Sequence, residues 1–588
     1  MNYLHNRKKT FKLLITLSFI FCILFIYALC FSDYVMLHKV FSQNNIDTVN
    51  HHQTNGKKNI ISDFGKNSTL SNVFNSQLGT EYKDSDNWIS INHDIYGTRH
   101  SNQTIINKDN VNNLQIKWIL FNDAEIQDPP IIINNTGYVQ DYAGNIICFD
   151  IKNGKIVWKA PVGTGPTMGL TFSNEVIFAS TGFNSSVVAL ESKSGKILWE
   201  SPKLGDPKLG YNIPSAPIVW NKYVIVGSAA GGDEPNGVGR IQGNITALNI
   251  SDGNIVWNLQ TTAGKWINSD EASPYNGDAS AWSGGSVDPE TGILYIPLGS
   301  PSPNFNASTR QETPNLYANR MMAVNITNGN ILWSTPFIDF GTILPVKVPD
   351  THDWDASWGS SIIKVKFDNG TQKKIVIGHD KMGNIMAMDA INGKEIWWNI
   401  LGKHYNTNAI PLPNGSGLIW SYGVFNYHAI DNNTLYISAT NRGVNYFTDE
   451  DLKGHRIAAP NTIELGLRNG TIAALDLRTG KLLWEYQTEY PPRVSPLVTN
   501  GILFAGGIPF SEKAISNHIK TTKTGIILAL DKNNGEKLWE FNIGAPISPV
   551  GLSIGQGILF VPTGKIQNGT KEKGDFGGSI IALGIVEK

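Results

Sequence analysis

One ten-residue segment carries side chains that could do chemistry. Residues 351–360 read THDWDASWGS and hold two aspartates, a histidine and two tryptophans. The segment shows neither a helical period nor the alternation of a strand, which predicts a loop. A carboxylate on a loop can act as a general base when it is held against a substrate proton. An aspartate can equally be a turn residue at the end of a sheet, so the surrounding elements must decide.

A second acidic segment lies in a glycine-rich stretch. Residues 227–239 read GSAAGGDEPNGVG and place Asp233 next to Glu234. Carboxylate oxygens are the ligands that hard cations such as calcium prefer. An acidic turn without a ligand has the same composition, and both interpretations stay open from the residues alone.

The elements that position these loops are copies of one repeat. Each copy is a strand with alternating apolar residues, an Asx/Gly turn and a second strand that ends in tryptophan, which is the pattern of a hairpin. Seven complete copies occupy residues 148–158, 189–199, 247–257, 323–333, 387–397, 474–484 and 529–539. Spacings of roughly 40 to 90 residues indicate propeller blades with insertions rather than short solenoid turns.

The two ends of the repeat region supply the halves of an eighth copy. Residues 579–588, SIIALGIVEK, match the strand before the turn, and residues 113–118, NLQIKW, match the strand that ends in tryptophan. Pairing them would close a ring without an open sheet edge. The sequence therefore predicts an all-β, eight-bladed β-propeller. The tryptophans expected to dock neighbouring blades are Trp118, Trp158, Trp199, Trp257, Trp333, Trp397, Trp484 and Trp539.

Composition excludes one class of partner and does not support a disulfide framework. The 588 residues carry a net charge of −1, so no basic surface for nucleic acid is expected. The 58 glycines and 16 tryptophans favour short strands joined by tight turns. Of three cysteines, Cys22 and Cys30 lie in one apolar run, and Cys148 matches a small core position of the repeat.

The N-terminal region predicts a membrane anchor. Residues 13–31 are almost uninterruptedly apolar and long enough to span a bilayer, and the basic residues before them predict that residues 1–12 are cytoplasmic. A signal peptide that is cleaved is the alternative. Residues 32–85 predict a flexible Asn/Ser-rich stalk, and residues 86–588 the propeller, on the extracytoplasmic side. Glycosylation sequons agree with that side, at Asn67, Asn102, Asn184, Asn244, Asn306, Asn369 and Asn469.

The repeat, of the form A-x-D-x-x-T-G-x-x-x-W, resembles that of the pyrroloquinoline quinone (PQQ) dehydrogenases, which are eight-bladed propellers with the cofactor near the axis. The resemblance extends between repeats, to DNWISINHDIYGTRHS at 86–101 and to SAWSGGSVDPETGILYIPLGSPSPNFN at 280–306, and covers nearly all of residues 86–588. It implies an alcohol or polyol dehydrogenase. Because non-catalytic propellers such as the outer-membrane assembly lipoprotein carry a similar repeat, fold alone does not decide function.

The resemblance assigns roles to particular residues. Trp282 matches the tryptophan on which the quinone plane stacks, and a rigid indole suits a planar tricycle. Glu234 falls at the calcium-binding glutamate of the family, with Asp233 as an adjacent substitute. Lys381 occupies the position of a cation against the quinone oxygens. A packing tryptophan, an acidic turn and a solvated lysine are the structural alternatives.

Asp355, within Trp354-Asp355, matches the catalytic base of the family and a ligand of its metal, and we favour it over Asp353. In the family, an aspartate here takes the substrate hydroxyl proton while calcium polarises the quinone carbonyl. Ser300 stands where the family has a calcium-binding asparagine. Ser357 replaces the extra aspartate of lanthanide-using members, so calcium is the expected metal.

Three departures weaken the resemblance at the cofactor. Ser300 is shorter than asparagine, residues 162–170 lack the vicinal cysteine pair that covers the quinone, and Met168 replaces an arginine that contacts it. No Cys-x-x-Cys-His motif is present, so electrons would pass to a separate carrier. The two hypotheses are therefore a membrane-anchored quinoprotein dehydrogenase and a non-catalytic propeller that binds envelope proteins or glycans.

Overall fold

The computed structural model describes most of the chain from residue 86 onwards. The described residues are 86–165, 167–209, 211–229, 243–261, 277–299, 301–302, 317–337, 355–356, 358–402, 410–411, 416–447, 469–507, 524–564 and 577–586. The predicted cytoplasmic segment, anchor and stalk lie outside them. Among the described residues no helix is long and apolar enough to cross a membrane.

Eight antiparallel four-stranded sheets succeed one another along the chain, and each is one blade. The innermost strand comes first and the tryptophan-bearing strand lies outermost. Blades 1 to 4 consist of Ile131–Ile133, Thr136–Gln140, Asn145–Asp150 and Ile156–Pro161; Leu170–Ser173, Val176–Ser180, Val187–Glu191 and Ile197–Glu200; Ile218–Trp220, Tyr223–Gly227, Asn244–Asn249 and Ile255–Gln260; and Ser286–Asp288, Ile293–Leu298, Arg320–Asn325 and Ile331–Pro336.

The remaining blades follow the same order, with added strands in two of them. Blades 5 to 8 consist of Ser361–Lys366, Gln372–His379, Asn384–Asp389 and Glu395–Ile400; Ala429–Asp431, Thr434–Phe447, Gly470–Asp476 and Leu482–Thr488; Val494–Thr499, Ile502–Gly507, Ile526–Asp531 and Lys537–Asn542; and Ser553–Gly555, Ile558–Gly564, Gly578–Ile585 and Leu114–Asn122. The additional strands are Ile410–Pro411 and Ser416–Gly423 in blade 6, His100–Ser101 in blade 7 and the separate pair Gly277–Asp278 and Pro301–Ser302; the 3₁₀ turns are Val111–Asn113 and Pro207–Leu209.

The predicted closure of the ring is confirmed. Leu114–Asn122 pairs antiparallel with Gly578–Ile585, and Trp118 lies opposite Ala582. Blade 8 is therefore made from both ends of the repeat region. Side chains of blades 7, 8 and 1 share one buried cluster that includes Phe504, Phe560 and Phe149, so the closing blade is packed like the others.

The predicted docking tryptophans join each blade to the next. Their indole N–H groups donate to a backbone carbonyl of the following blade at 2.7–3.0 Å, in the pairs Trp118–Ile151, Trp158–Ser192, Trp199–Ile250, Trp257–Ile326, Trp333–Ala390, Trp397–Leu477 and Trp484–Lys532. Trp539 packs against the cluster of blade 8. The seven tryptophans in these pairs also cover the turn glycine of the following repeat: a Cβ on Gly195 would lie 2.6 Å from Trp158. The turn glycine of one repeat and the tryptophan of the preceding repeat therefore form a single contact between neighbouring blades.

Residues 86–101, which we call the strap, cross the central channel. Strap backbone groups bond to the innermost strands of six blades: Trp88 with Ile132, Ile89 with Phe172, Ile95 with Val287, Tyr96 with Ile362, Thr98 with Ile430 and Arg99 with Val498. Arg99 is fully buried and donates to the carbonyls of Ile91, Pro496 and Leu552. The strap therefore ties the inner edges of the ring together.

A chain of buried hydrogen bonds links the strap to blades 5 and 6. The Ser361 hydroxyl donates to the Gly97 carbonyl at 2.6 Å, so it must accept from His428 Nε2 at 2.7 Å. His428 Nδ1 then accepts from His379 Nε2 at 3.1 Å. This order fixes both histidine tautomers and leaves His379 Nδ1 buried without a hydrogen bond. Burial, aided by the Arg99 charge, lowers the pKa of His428 to about 3. Burial, aided by His428, lowers the pKa of His379 well below its usual value.

We expect the turn glycines to be required for blade docking. In Gly195→Ala the methyl group would clash with Trp158, in addition to the strain of an alanine at φ +72°. Gly370 has φ +83° with no atom within 4 Å of a Cβ, so Gly370→Ala carries the strain without the clash. Urea unfolding followed by tryptophan fluorescence should show Gly195→Ala less stable than Gly370→Ala by about 1–3 kcal/mol. Equal midpoints would contradict the docking role.

We expect the two buried histidines to make stability depend on pH. Their folded pKa values lie below the unfolded value of about 6.5, so stability is complete above pH 6.5 and falls as the pH drops from there towards about 3. Each histidine contributes a slope of about 1.4 kcal/mol per pH unit.

The measurement is the urea midpoint at pH 7.5 and at pH 5.0. The double variant His379→Gln/His428→Gln should have a lower urea midpoint than the wild type at pH 7.5. Its midpoint should fall less than that of the wild type between pH 7.5 and pH 5.0, because glutamine does not titrate. Parallel losses in the two proteins would show that other groups control the acid response.

Candidate active site

Three of the predicted site residues meet at one end of the ring, where the innermost strands begin. We call this the entry end. Trp282 precedes Ser286–Asp288 of blade 4, and Asp355 precedes Ser361–Lys366 of blade 5. Lys381 lies in the turn between Gln372–His379 and Asn384–Asp389 of blade 5. Because the innermost strands line the axis, the segments that lead into them converge there.

The Asp355 carboxylate is held by both other residues. Lys381 Nζ lies 2.6 Å from Asp355 Oδ2, and Trp282 Nε1 lies 3.4 Å from Asp355 Oδ1. The side chains of Lys381 and Asp355 are 13% and 11% exposed, so the ion pair is mostly shielded from water. A carboxylate fixed by an ammonium group and an indole presents its lone pairs in a defined direction.

Lys381 also contacts aromatic faces. Its ammonium lies 5.4 Å from the centre of the Trp282 ring and 5.9 Å from that of Phe425. Arg493 lies 5.1 Å from the centre of the Phe425 ring. These distances are within the range of cation–π attraction. Segments of blades 4 to 7 thus contribute a connected set of two cations and two aromatic rings, of which Lys381 and Trp282 contact the Asp355 carboxylate.

Backbone features explain why the carboxylate and the lysine stay in place. A Cβ on Gly299 would lie 2.5 Å from Asp355 Oδ1, so only glycine leaves room for the carboxylate there. The Lys381 amide donates to the Asp355 carbonyl at 2.9 Å. Asp380 closes the lysine turn by accepting from the amides of Met382 and Asn384. Burial raises the pKa of Asp380 to about 7.

An aromatic and apolar layer lies beneath Trp282. Trp358 packs edge-on against Trp282 at 5.3 Å and against Tyr427 at 5.5 Å. Trp358 has φ +63°, unusual for a bulky side chain, and its indole nitrogen is buried without a hydrogen bond. The cluster also contains Ile91, Met168, Ala216 and Val550. We call these buried residues the floor layer.

The structure tests only part of the predicted site. Trp282, Asp355 and Lys381 come together, whereas Asp233, Glu234, Ser300, Asp353 and Ser357 lie outside the described residues. Met168, where the resemblance led us to expect a contact with the quinone, packs in the floor layer. Among the described residues no group of three or more His, Cys, Asp or Glu could hold a metal ion.

Four residues of the site were not predicted from the sequence: Trp358, Phe425, Tyr427 and Arg493. Trp358 could have been found, because it lies within the segment THDWDASWGS and outside the docking series, as Trp282 does. The other three precede the innermost strands of blades 6 and 7. Those positions have no shared residue type, so the repeat gives no signal for them.

The residues present fit a planar anionic cofactor. PQQ is a flat tricyclic quinone with three carboxylates, and it needs an aromatic face and nearby cations. Trp282 is half-buried with a floor layer under it, and Lys381 and Arg493 are the cations. The aromatic face of Trp282 beside these cations suits a flat anionic ring system.

Family models match two overlapping parts of the chain. Residues 201–400 match the glucose/ethanol/alcohol dehydrogenase β-propeller domain, and residues 318–507 match the outer membrane protein assembly factor BamB. The first range contains Trp282, Asp355 and Lys381, and the second contains the latter two. The second match does not distinguish an enzyme from a scaffold, because both ranges follow the same repeat.

Curated relatives are quinoprotein dehydrogenases. Quinoprotein alcohol dehydrogenase PedH of Pseudomonas putida is 26% identical over 527 residues, which cover 78% of this chain and 82% of the relative. Quinohemoprotein alcohol dehydrogenase ADH-IIG of Pseudomonas putida is 23% identical, over 80% of this chain and 70% of the relative.

Solved structures agree on the fold. Quinohemoprotein alcohol dehydrogenase from Comamonas testosteroni superposes with a TM-score of 0.67 at 18% identity and covers 88% of this chain and 83% of its own. A europium-containing methanol dehydrogenase superposes with a TM-score of 0.61 at 18% identity. The superposition covers 88% of this chain and 100% of the methanol dehydrogenase chain. The repeat, the closed ring and these comparisons show that the chain is similar to the PQQ-dependent alcohol dehydrogenase-like proteins and shares their eight-bladed β-propeller fold.

Proposed function

We propose that the protein is a quinoprotein dehydrogenase that oxidises an alcohol or polyol with PQQ. The observation that carries the proposal is the Asp355 carboxylate, held between Lys381 and the Trp282 indole at the axis. A shielded carboxylate with a fixed cation beside an aromatic face is the arrangement that a general base next to a planar cofactor requires. The named relatives supply the reaction class.

Trp282 would hold the cofactor plane, and Lys381 would face its oxygens. When bound, PQQ supplies a two-electron acceptor for the hydride that leaves the alcohol carbon. The floor layer beneath Trp282 resists tilting of the indole, because Trp358 and Tyr427 fill the space on that side. The chain would thereby orient the cofactor and give it a binding surface that excludes most water.

Asp355 would take the proton of the substrate hydroxyl. The carboxylate accepts hydrogen bonds at both oxygens, and a third donor such as an alcohol O–H can approach a remaining lone pair. Lys381 balances the negative charge of the carboxylate before proton transfer. Afterwards the proton stays on the carboxyl group until solvent removes it, and the product is the corresponding carbonyl compound.

Calcium is the proposed metal, with Glu234, Ser300 and Asp355 as its ligands. A hard cation requires several oxygen ligands, and Asp355 and Glu234 are the two carboxylates that the family pattern assigns. Serine at 300 supplies a shorter neutral oxygen than asparagine would, so we expect weaker calcium binding than in a site with asparagine.

The proposed location is the extracytoplasmic side of a membrane, with residues 13–31 as a single-pass anchor. Secretion after cleavage of a signal peptide is the alternative. Electrons would pass from the reduced cofactor to a separate carrier protein, since the chain carries no haem-attachment motif.

A non-catalytic propeller that binds envelope proteins or glycans is the second candidate. The missing cysteine pair, Met168 and Ser300 favour it. Failure to bind PQQ would support it.

We expect PQQ binding to depend on Trp282. Trp282→Ala removes the aromatic face and should weaken PQQ binding by at least about tenfold, or ~1.4 kcal/mol. Titration calorimetry of the full-length protein, with calcium and again with a chelator, gives the dissociation constants. The matched control is Trp398→Ala, which removes a solvent-exposed tryptophan of blade 5. No binding by the folded wild type would overturn the cofactor assignment.

We expect Asp355→Asn to separate binding from chemistry. Asparagine keeps the size of the side chain but cannot accept the hydroxyl proton, so turnover of primary alcohols should fall about 10²–10⁴-fold. PQQ affinity should change little. Asp389→Asn, in the hairpin turn of the same blade, is the control. Dye-linked alcohol oxidation that survives Asp355→Asn would show that another group is the base.

A further inference from the structure

A pocket lies on the other side of the floor layer from Asp355. It has a volume of about 60 Å³ and runs along the innermost strands of blades 2 and 3 towards the end at which those strands finish. The strap forms one wall, with Ile89 to Ile95, and blade 4 contributes Ser283 to Gly285. A single water needs about 10–15 Å³, so the volume admits a small organic molecule.

The pocket surface is mostly apolar, with Ile91, Phe172, Ala216 and Val219 in its lining. Asp94 is the charged residue of the lining, and both its oxygens already accept hydrogen bonds, from Thr98, from His93 and from the Tyr96 amide. Among the described residues no cationic side chain lines the pocket, so an anion would find no opposite charge here, and the apolar wall favours a neutral ligand.

Two polar residues of the pocket lining lack a partner for one hydrogen bond. Asn92 is 5% exposed, and its side-chain oxygen is buried without a hydrogen bond. Ser283 is 2% exposed; its hydroxyl oxygen accepts from the Gly359 amide at 3.2 Å, which leaves its proton to donate. A Cβ on Gly359 would lie 3.2 Å from Asn92 Nδ2, so both side chains border Gly359.

We infer that this pocket is a binding site for a small neutral alcohol, distinct from the Asp355 site. One hydroxyl group can donate to Asn92 Oδ1 and accept from the Ser283 hydroxyl, while its hydrocarbon part covers Ile91 and Phe172. A buried acceptor without a hydrogen bond is unfavourable, and such a ligand supplies the missing donor. The ligand is not oxidised, since no base or cofactor residue of the entry end lines the pocket.

The site adjoins the floor layer that supports Trp282. Ile91 and Ala216 belong both to the pocket lining and to that layer. Ser283 follows Trp282 directly in the chain, and its carbonyl accepts from the Tyr427 hydroxyl at 3.0 Å. A ligand in the pocket would therefore contact side chains that pack beneath Trp282. The inference does not depend on the proposed oxidoreductase reaction.

The test compares two isomers, 1-butanol and diethyl ether, by saturation-transfer NMR titration of the full-length protein. The ether has the same atoms but no hydroxyl donor, so it should bind about tenfold more weakly than 1-butanol. Asn92→Leu removes the acceptor and should abolish that preference while leaving ether binding in place. No saturable 1-butanol binding, or an unchanged preference in Asn92→Leu, would overturn the inference.

A second pair of variants locates the binding. Ser173→Trp places a large ring at the half-buried end of the pocket and should eliminate saturable 1-butanol binding. Ser194→Trp, on the exposed hairpin turn of the same blade, should have no effect and also controls for partition into lipid or detergent. Binding that survives Trp282→Ala but not Ser173→Trp assigns it to this pocket. The reverse pattern would assign it to the Asp355 site and refute the inference.

Discussion

Closure of the ring by the pairing of Leu114–Asn122 with Gly578–Ile585 is the constraint on which the rest of the structure depends. Trp282 and Asp355 belong to different blades, and no sequence-local contact sets their separation. That separation is fixed by the angle between neighbouring blades. Because eight blades complete one full turn, closure of the ring sets this angle. An open sheet stack would keep every hairpin and lose the meeting of side chains at the axis.

The strap adds a second constraint, at the centre of the ring. A guanidinium moved from water into the interior is costly unless its hydrogen bonds are replaced. Arg99 meets this condition with three backbone carbonyls and with the faces of Trp88 and Tyr427, at 5.4 and 5.9 Å. Burial still lowers the pKa of Arg99 to about 9. The carbonyls come from the strap and from blades 7 and 8, so the charge locks the strap to the closing region.

The fold was readable from the sequence because its main contact repeats. The turn glycine and the docking tryptophan recur together in seven blades, and blade 8 keeps its two strands, one at each end of the repeat region, with the docking Trp118 on the second. The site was readable only through the resemblance to a family, which pointed to Trp282, Asp355 and Lys381. Apart from Trp358, the floor layer was not readable, and neither was the role of Arg99, because the segments before the innermost strands share no common pattern from blade to blade. Their neighbours are set by ring geometry and not by sequence spacing.

Lys381 shows how the arrangement can accept a planar ligand. Its ammonium covers the Trp282 ring and pairs with Asp355 in the same conformation. A ligand stacked on the indole replaces the cation–π contact, which contributes about 0.5–2 kcal/mol, while the ion pair at the ring edge can persist. Removing about 150 Å² of aromatic surface from water contributes roughly 4 kcal/mol, so the exchange favours the ligand. Lysine suits this role because its flexible stem moves the charge aside without breaking the pair, which a bidentate arginine would do less easily.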